Sequence, residues 1–334
     1  MPQLVSIVVP AYNAAKRIEA TLLSIAAQDY ENIEIIVVDD GSSDGTGDLA
    51  ESVLRRSGGN FRIIKHESNM GVSAARNSGL RSVSGNYVIF FDADDLADPN
   101  FVSVLFAAIT QNDSDVAFCG YRYRFEDTGK EQIVPLKLDS LRQYSAEELL
   151  MMYIFGQIWP LMWSTMFKTG FIKTSGLEFT VGCGFGEDLE FLRKALSRCG
   201  SISFSTGCHY IYVQHEGMTV KTTKQTPEKL LRRYADDAGA ICRTAQYFWE
   251  HAKSPKIRAI GMNFLLPKGL IKTLNVMAWR HDKTGFYQTL RAPGTRRALA
   301  ASFRYLPREP EMFFKAAALL IAPQLYFRMR SRSF

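Results

Sequence analysis

The sequence has few cysteines, and none of them shows the spacing that a cysteine-dependent site needs. Its 334 residues contain five cysteines, and no two of them form a C-x-x-C pair. A disulfide framework needs paired cysteines in an oxidising compartment, and a structural zinc site needs closely spaced ligands. We therefore expect reduced thiols in a cytosolic compartment, without a disulfide scaffold or a zinc site.

Long apolar runs are also absent, because no stretch approaches the roughly 18 uninterrupted apolar residues of a membrane-spanning helix. The amino terminus runs almost directly into a predicted strand, so we expect no signal peptide. The sequence has neither G-x-G-x-x-G after its first strand nor a G-x-x-x-x-G-K-[ST] motif, which disfavours a dinucleotide cofactor and an NTPase P-loop. Its composition, 46% hydrophobic and 22% charged, is that of a globular protein.

Charge is distributed unevenly along the chain. Residues 1–224 contain 20 Lys and Arg against 27 Asp and Glu, whereas residues 225–334 contain 20 against 7. A strongly basic segment favours an anionic surface such as lipid headgroups, and no nucleic-acid-binding module is recognisable. The change near residue 225 predicts a domain boundary at that point.

Strand and helix patterns alternate over the first hundred residues. The predicted strands are 4–9, 33–38, 61–65 and 87–91, and the predicted helices are 16–28, 48–56 and 72–83. This alternation predicts an α/β fold with a doubly wound, mostly parallel sheet. We expect it to cover residues 1–224, in two parts that divide near residue 100.

Further elements are predicted from residue 115 onwards. Strands are expected at 115–125, 202–204 and 208–213, and helices at 146–153, 187–198, 256–280 and 311–329. Residues 126–140 read as a polar loop that can hold a hairpin. Residues 225–334 are therefore expected to form a basic helical region.

The strand at 87–91 ends in the acidic sequence Asp92-Ala93-Asp94-Asp95. Ligands of open α/β sheets bind beyond the carboxyl ends of the strands, so these acids form a candidate metal and phosphate site. In an extended segment Asp92 and Asp94 would point the same way and could hold one divalent cation. The alternative is that the acids only cap a turn and the following helix.

Polar residues also follow the first two strands, at the same predicted edge. Tyr12 could pack on a base, and Asp39 or Asp40 could accept a hydrogen bond from a pyrimidine N–H or from ribose hydroxyls. A nucleoside diphosphate would then need a charge partner, which a cation on Asp92 and Asp94 could supply. Each feature alone could be an ordinary turn or helix cap, but together they favour a ligand site.

Four motifs, taken in order, resemble the family 2 glycosyltransferases of the GT-A fold. They are SIVVPAYN (6–13), VVDDGSSDGT (37–46), NMGVSAARN (69–77) and FDADD (91–95). The resemblance covers residues 1 to about 220, and it implies a donor-binding half to about residue 100 and an acceptor-binding half over about 101–224. It implies an inverting transfer from a nucleotide-diphosphate sugar, usually UDP-linked, with Mn²⁺ or Mg²⁺ as cofactor.

The resemblance also implies roles for individual residues at the donor site. The residues implied for the nucleotide are Pro10, Ala11, Tyr12, Asp39, Asp40, Arg76, Asp92 and Ala93. Asp94 is favoured over Asp92 as the direct metal ligand. His215 is implied as a third ligand because imidazole suits Mn²⁺, although a lone histidine is more often structural.

A second acidic pair, Glu187 and Asp188, stands at the start of a predicted helix. In the family such a pair supplies the general base, which by position is Asp188. An inverting transfer needs one carboxylate to take the proton of the acceptor hydroxyl. From spacing alone, both acids could simply favour the positive end of the helix dipole.

Two residues are expected on the acceptor side. Glu187 is expected to be the neighbour of the base or an acceptor ligand. Trp163 lies in a stretch that borders the acceptor site in the family, and its ring could stack on a sugar. Trp163 could equally be a core residue.

The carboxy-terminal third combines apolar faces with basic residues. The run 312–321, followed by Arg328, Arg330 and Arg332, suits a helix lying at the interface of an anionic leaflet. A lipid-linked or envelope-glycan acceptor would fit such a peripheral location at the inner face of the cell membrane. The alternative is a helical appendage that packs on the catalytic domain or forms a homo-oligomer.

Two other classes of function stay open from the sequence. A non-catalytic nucleotide-sugar-binding or scaffolding protein would have the same fold, with Glu187 and Asp188 serving only as a helix start. A nucleotidyltransferase can share a metal-binding carboxylate after a strand, but that function would not explain the second acidic pair.

Overall fold

The computed structural model describes residues 3–140, 142–215, 226–305 and 307–332. The chain divides into a sheet unit, Met1–Gly182 with Phe191–Thr222, and a helical unit, Cys183–Glu190 with Thr223–Phe334. The boundary predicted between residues 224 and 225 falls outside the described residues and stays a prediction. The short acidic segment Cys183–Glu190 groups with the carboxy-terminal helices, which the sequence pattern does not predict.

The described part of the sheet unit is built on a sheet of nine strands. They are β1 (Val5–Ala11), β2 (Ile33–Asp39), β3 (Asn60–Lys65), β4 (Tyr87–Phe90), β5 (Leu96–Ala97), β6 (Val116–Phe125), β7 (Glu131–Val134), β8 (Thr165–Lys168) and β9 (Ile202–Gln214). Their order is β3-β2-β1-β4-β8-β6-β9-β5, with β7 paired to β6. The sheet is therefore mixed: its first four strands pair with one another in parallel, β6 and β9 also pair in parallel, and β8 is antiparallel to both of its neighbours.

The predicted doubly wound arrangement is confirmed for these four strands. β1 pairs in parallel with β2 and β4, and β2 pairs in parallel with β3. All seven residues of β1 are buried, which is why its sequence is almost continuously apolar. The register pairs Ala11 with Asp39 and Val8 with Phe90, so the residues that follow these strands meet at one edge of the sheet.

Helices flank the sheet and connect its strands. They are α1 (Ile18–Ala26), α2 (Thr46–Ser57), α3 (Val72–Arg81), α4 (Phe101–Gln111), α5 (Ala146–Ile154) and α6 (Thr169–Thr174). In α1 the buried residues include Ile18, Leu22 and Ile25, the stripe predicted from their spacing. A seventh helix, α7 (Glu187–Arg198), begins in the helical unit and continues in the sheet unit.

The second half of the sheet differs from the prediction in two places. The late strands predicted at 202–204 and 208–213 form the single strand β9, which pairs with β6 through a register shift around Gly120. A bulge of this kind lets one strand continue where the sequence pattern suggests a break. The antiparallel strand β8 lies within the Trp- and Met-rich stretch and is not predicted, because it has only four residues and its first three are all buried, so it shows no alternation.

The helical unit continues with seven further helices in the described residues. They are α8 (Pro227–His251), α9 (Pro255–Ile260), α10 (Leu266–Trp279), α11 (Lys283–Arg291), α12 (Thr295–Ala301), α13 (Pro310–Ile321) and α14 (Pro323–Arg330). None of the helices in the part of the chain that the structure describes combines the length and the apolar character needed to cross a bilayer.

Prolines explain where the helices of this unit depart from prediction. The helix predicted at 256–280 contains a π-helical turn, Gly261–Leu265, just before Pro267. The helix predicted at 311–329 is two helices that meet at Pro323. A proline has no N–H for the helical ladder and restricts the residue before it, so the α-helical pattern is interrupted at each site.

Asn77 of α3 joins that helix to the backbone of a distant loop. Its Oδ1 accepts the Phe179 N–H at 2.8 Å, and its Nδ2 donates to the Phe179 carbonyl at 2.9 Å. Phe179 in turn stacks on Phe191 with ring centroids 4.0 Å apart. Asn77 is buried, so this pair of bonds is inaccessible to water.

We expect Asn77→Ala to lower the free energy of unfolding by about 2–4 kcal/mol, because two buried backbone groups lose their partners. Urea denaturation of the whole protein, followed by tryptophan fluorescence, measures the change. The matched control is Asn112→Ala, which removes an amide at an exposed position. Equal stability of the two variants would contradict this reading of Asn77.

Candidate functional site

Side chain–backbone hydrogen bonds tie together the loops that follow β1 and β2. Asn13, whose φ is 48°, accepts the Ser43 N–H at 3.0 Å, and its own N–H donates to Ser42 Oγ at 3.0 Å. Thr46 Oγ1 accepts the Ala14 N–H at 2.8 Å. The sequence motifs point to no role for Asn13 or Ser42, although short polar residues after buried strands commonly make such bonds.

Tyr12 is an exposed aromatic residue of this region, with 51% of its surface accessible. Pro10 and Ala11 belong to β1 and are buried. The predicted nucleotide contact of the first motif can therefore come from the ring of Tyr12, while Pro10 and Ala11 shape the site mainly through their backbone.

The carboxylate of Asp40 is engaged in holding a neighbouring loop. Its Oδ1 lies 2.7 Å from His66 Nδ1 and accepts the Met70 N–H at 2.9 Å, and its Oδ2 accepts the Gly71 N–H at 2.8 Å. Asp40 is only 2% exposed. A buried carboxylate with both oxygens bonded is a structural support for the 69–71 loop.

Asp39 differs from its neighbour in its partners. Its Oδ1 accepts the Ser42 N–H at 3.0 Å. Its Oδ2 lies against Gly47 in the first turn of α2, where a Cβ atom would come within 2.3 Å of that oxygen. Asp39 and Asp40 are both candidate acceptors of a hydrogen bond from a nucleotide base, and the geometry favours Asp39 for that contact.

Arg76 places a buried cation beside Asp92. Its Nη2 donates to Asp92 Oδ1 at 3.0 Å, and its guanidinium carbon lies 5.3 Å from the ring centroid of Phe179. Arg76 is buried within α3. An always-charged guanidinium held in this way is suited to binding an anion such as a phosphate.

Asp94 and His215 come together although 121 residues separate them in the sequence. Nε2 of His215 lies 2.9 Å from Oδ2 of Asp94. The Asp94 side chain is 40% exposed, whereas that of His215 is almost completely buried. Asp94 lies in a turn rather than in the expected extended segment, and Asp92 and Asp94 contact different partners, Arg76 and His215.

The residues at this edge fit a metal ion that would be coordinated partly by protein side chains and partly by a bound ligand. Within the described ranges, no three His, Cys, Asp or Glu side chains form a ready-made metal cluster. Asp94 and His215 nevertheless supply a carboxylate and an imidazole, which together suit Mn²⁺. A divalent cation that binds together with a phosphate-containing ligand commonly takes one or two ligands from the protein, and phosphate oxygens and water complete its coordination.

Asp95 ties the acidic turn to β9. Its Oδ2 accepts the Tyr210 hydroxyl at 2.6 Å, and its Oδ1 accepts the Val213 N–H at 2.8 Å. Burial, together with the charges of Asp94 and Asp92, raises the pKa of Asp95 well above its ordinary value. Asp95 is therefore a support for the turn that carries Asp94.

Trp163 is a core residue of the sheet unit. Its ring stacks on Tyr210 with centroids 4.4 Å apart, and it meets Tyr121 edge-on at 5.2 Å. It is buried among these rings. The predicted stacking of Trp163 on an acceptor sugar therefore has no support in the structure.

The acidic pair lies in the first turn of α7. Glu187 is buried and Asp188 is half-buried. Oδ1 of Asp188 accepts the Leu189 N–H at 2.7 Å, as expected for an acid at a helix start. This geometry fits both the helix-capping interpretation and the catalytic one, so the predicted roles of Glu187 and Asp188 stay predictions.

Comparisons with known proteins identify relatives of this chain. Residues 6–171 match the family described as glycosyl transferase family 2. In Bacillus subtilis, the putative glycosyltransferase EpsH is 30% identical over 52% of the chain, and the uncharacterized glycosyltransferase EpsJ is 31% identical over 64%. The matches cover 50% of EpsH and 61% of EpsJ, so the chain spans about half to three fifths of these relatives.

Solved structures resemble the whole chain. The crystal structure of S. aureus TarS 1-349 in complex with UDP-GlcNAc has a TM-score of 0.71 and 22% identity, covering 99% of this chain and 91% of that one. The mannosyltransferase PcManGT from Pyrobaculum calidifontis, in complex with GDP-Man and Mn²⁺, has a TM-score of 0.55 and 18% identity, with coverages of 99% and 84%. These likenesses show the GT-A fold, with a helical carboxy-terminal region.

We expect Asp95→Ala to lower the free energy of unfolding by about 2–5 kcal/mol, because the buried Tyr210 hydroxyl and Val213 N–H lose their acceptor. Asp95→Asn should cost much less, since an amide keeps one acceptor oxygen and is neutral, as suits a place where burial raises the pKa of the carboxyl. Denaturation in EDTA measures both changes. Asp127→Ala, at an exposed turn, is the control, and equal losses for the alanine and asparagine variants at position 95 would contradict the assignment.

Proposed function

Because this chain belongs to glycosyl transferase family 2, we propose that it moves a sugar from a UDP-linked donor to a hydroxyl of a saccharide acceptor. The observation that carries the proposal is the approach of Asp94 and His215 to 2.9 Å at the carboxyl edge of the sheet. The complexes of TarS with UDP-GlcNAc and of PcManGT with GDP-Man support a nucleotide-sugar donor.

The nucleoside of the donor binds at the loops after β1 and β2. The exposed ring of Tyr12 packs on the base, and Asp39 accepts a hydrogen bond from the pyrimidine N–H. Pro10, Ala11 and Ala93 line the site, largely through backbone. Asp40 contributes indirectly, because its bonds to the 69–71 loop hold the adjacent wall in place.

The diphosphate of the donor binds beside Arg76 and the acidic turn. A bound Mn²⁺ or Mg²⁺ supplies positive charge that offsets the charge of the leaving diphosphate. Asp94 and His215 would hold this cation, with Asp92 next to them and already paired with Arg76. Arg76 adds a fixed positive charge on the same side.

Asp188 acts as the general base of the transfer. The acceptor hydroxyl oxygen attacks the anomeric carbon, its proton passes to the Asp188 carboxylate, and the bond to the diphosphate oxygen breaks with its electron pair. Attack opposite the leaving group inverts the anomeric configuration. Glu187 orients the acceptor or the base, and Trp163 influences the acceptor side only through its packing on tyrosines.

We expect Asp188→Asn to lower kcat at least about 100-fold, because the amide cannot take the proton. Donor binding should persist, since the nucleotide contacts proposed above involve other residues. Release of nucleoside diphosphate measures turnover, and the rise in melting temperature with UDP-sugar and Mn²⁺ measures binding. Asp113→Asn, an exposed acid to amide change, is the matched control.

Normal turnover by Asp188→Asn would refute the assignment of the base. A different outcome is that the donor raises the melting temperature of the unaltered protein while no acceptor in a broad saccharide panel is turned over. That result would favour a non-catalytic nucleotide-sugar-binding protein. Loss of both turnover and the donor-induced shift in EDTA, with recovery on adding Mn²⁺, is the expected result for a metal-dependent transfer.

We also propose that α13 and α14 contact an anionic membrane surface, where a lipid-linked acceptor would be presented at the inner face of the cell membrane. Both helices expose large apolar side chains: Phe314, Ile321, Leu325 and Met329. Ile321 is 82% exposed, and the exposed Arg328 and Arg332 follow nearby in sequence. Apolar side chains combined with arginines complement anionic headgroups over an acyl boundary.

We expect the protein to pellet with phosphatidylglycerol vesicles but much less with pure phosphatidylcholine, and less at high salt because screening weakens the attraction. Replacing Ile321, Leu325 and Met329 by serine should abolish the pelleting. The control replaces Leu23, Ile133 and Val181, which are exposed apolar residues of the sheet unit, by serine. Unchanged pelleting of the first variant, or a changed oligomeric state instead, would rule out membrane contact through this surface.

A further inference from the structure

One face of α8 runs along the acidic segment Cys183–Glu190. The guanidinium carbon of Arg233 lies 4.0 Å from the ring centroid of Phe185. Oδ2 of Asp236 accepts the Gly184 N–H at 3.1 Å. Contacts from successive turns of a single helix to successive residues of the segment hold the segment in one conformation.

Arg243, farther along the same face, joins the two ends of the segment. Its Nη2 donates to Glu190 Oε2 at 2.7 Å, and its Nε lies 3.1 Å from Oε1 and 3.0 Å from Oε2. The same Nη2 donates to Cys183 Sγ at 3.3 Å. Glu190 is 2% exposed, so this is a charge-assisted contact inside the protein.

The spacing of these contacts follows the period of a helix. Arg233, Asp236, Ala240 and Arg243 lie at i, i+3, i+7 and i+10, which places them along one side of α8. A second stripe on α8, which includes Ile241, Ala245 and Phe248, is buried in the core of the helical unit. The core therefore anchors α8, and α8 in turn supports the acidic segment.

The turn into α7 is shaped by the same helix. Gly186 has φ 82°, a conformation that favours glycine, and a Cβ atom there would lie 3.4 Å from the Cβ of Ala240. The next two residues are Glu187 and Asp188. The direction in which the first turn of α7 leaves the segment thus depends on close packing against α8.

We propose that Arg243 is a positioning residue for Asp188, acting through the segment whose two ends it joins. This inference rests on the proposed role of Asp188 as base. Glu190 is buried but 38% of the Arg243 side chain is exposed, and an ion pair in such a place contributes little stability. Its value here is geometric, because the planar guanidinium fixes both the distance and the orientation of Glu190, two residues beyond Asp188.

The test compares Arg243→Gln and Arg243→Lys with the unaltered protein. Arg243→Gln should lower kcat about 10–100-fold, because a small displacement of a catalytic group has effects of this size. KM for the donor and the donor-induced thermal shift should change less than about two-fold, and Arg243→Lys should restore part of kcat. Arg232→Gln, at an exposed position of α8, is the matched control.

A double variant separates positioning from plain stability. Arg243→Gln alone leaves the buried Glu190 carboxylate without its cation and should lower the melting temperature, whereas Arg243→Gln with Glu190→Gln should regain most of it. Under the proposal, kcat of the double variant stays low because the segment is no longer held by a guanidinium. If kcat recovers together with the melting temperature, the role of Arg243 is merely structural and the proposal fails.

Failure of this inference can be told apart from failure of the proposed function. If Asp188→Asn abolishes transfer while Arg243→Gln keeps normal kcat, the base assignment stands and only the positioning role is overturned. If Asp188→Asn retains normal transfer, the base assignment itself is wrong, whatever the Arg243 variants do.

Discussion

Buried carboxylates are the constraint on which the candidate site depends. Asp40, Asp95 and Glu190 are each at most 2% exposed. A charge in such a place is costly unless it is paired or hydrogen-bonded, so each of these acids must recruit donors. The donors come from distant parts of the chain: the 69–71 loop, β9 and α8 respectively. The hydrogen bonds of these three carboxylates therefore hold the 69–71 loop, the acidic turn at 92–95 and the segment Cys183–Glu190 in place.

Each of these buried acids has a less deeply buried acid one or two residues before it in the sequence. Asp39 precedes Asp40, Asp94 precedes Asp95, and Asp188 lies two residues before Glu190. In each pair the more buried carboxylate is bonded within the protein, and the other carboxylate is the one for which a ligand-binding or catalytic role is proposed above. An acidic motif read from sequence alone shows both residues as equivalent, and only the hydrogen bonds separate them.

The first four strands and three helices could be predicted because their information is local. β1 and β2 are mostly apolar, and short turns follow them. The motif positions of Tyr12, Asp94 and His215 could also be predicted, through a family resemblance. The strand β8 could not be predicted, since a strand of only four residues shows no period. The ion pair of Arg243 with Glu190 could not be predicted either, since partners 53 residues apart leave no local sequence pattern.

Some of the basic residues in the carboxy-terminal region already form ion pairs within the helical unit. Lys272 bonds Asp237, Lys268 bonds Glu309, and Arg243 bonds Glu190, so several of its cations are committed inside the helical unit. The net charge of the region therefore overstates what it offers to an anionic partner. What favours a membrane surface is instead the set of exposed apolar side chains on α13 and α14, together with the exposed Arg328 and Arg332.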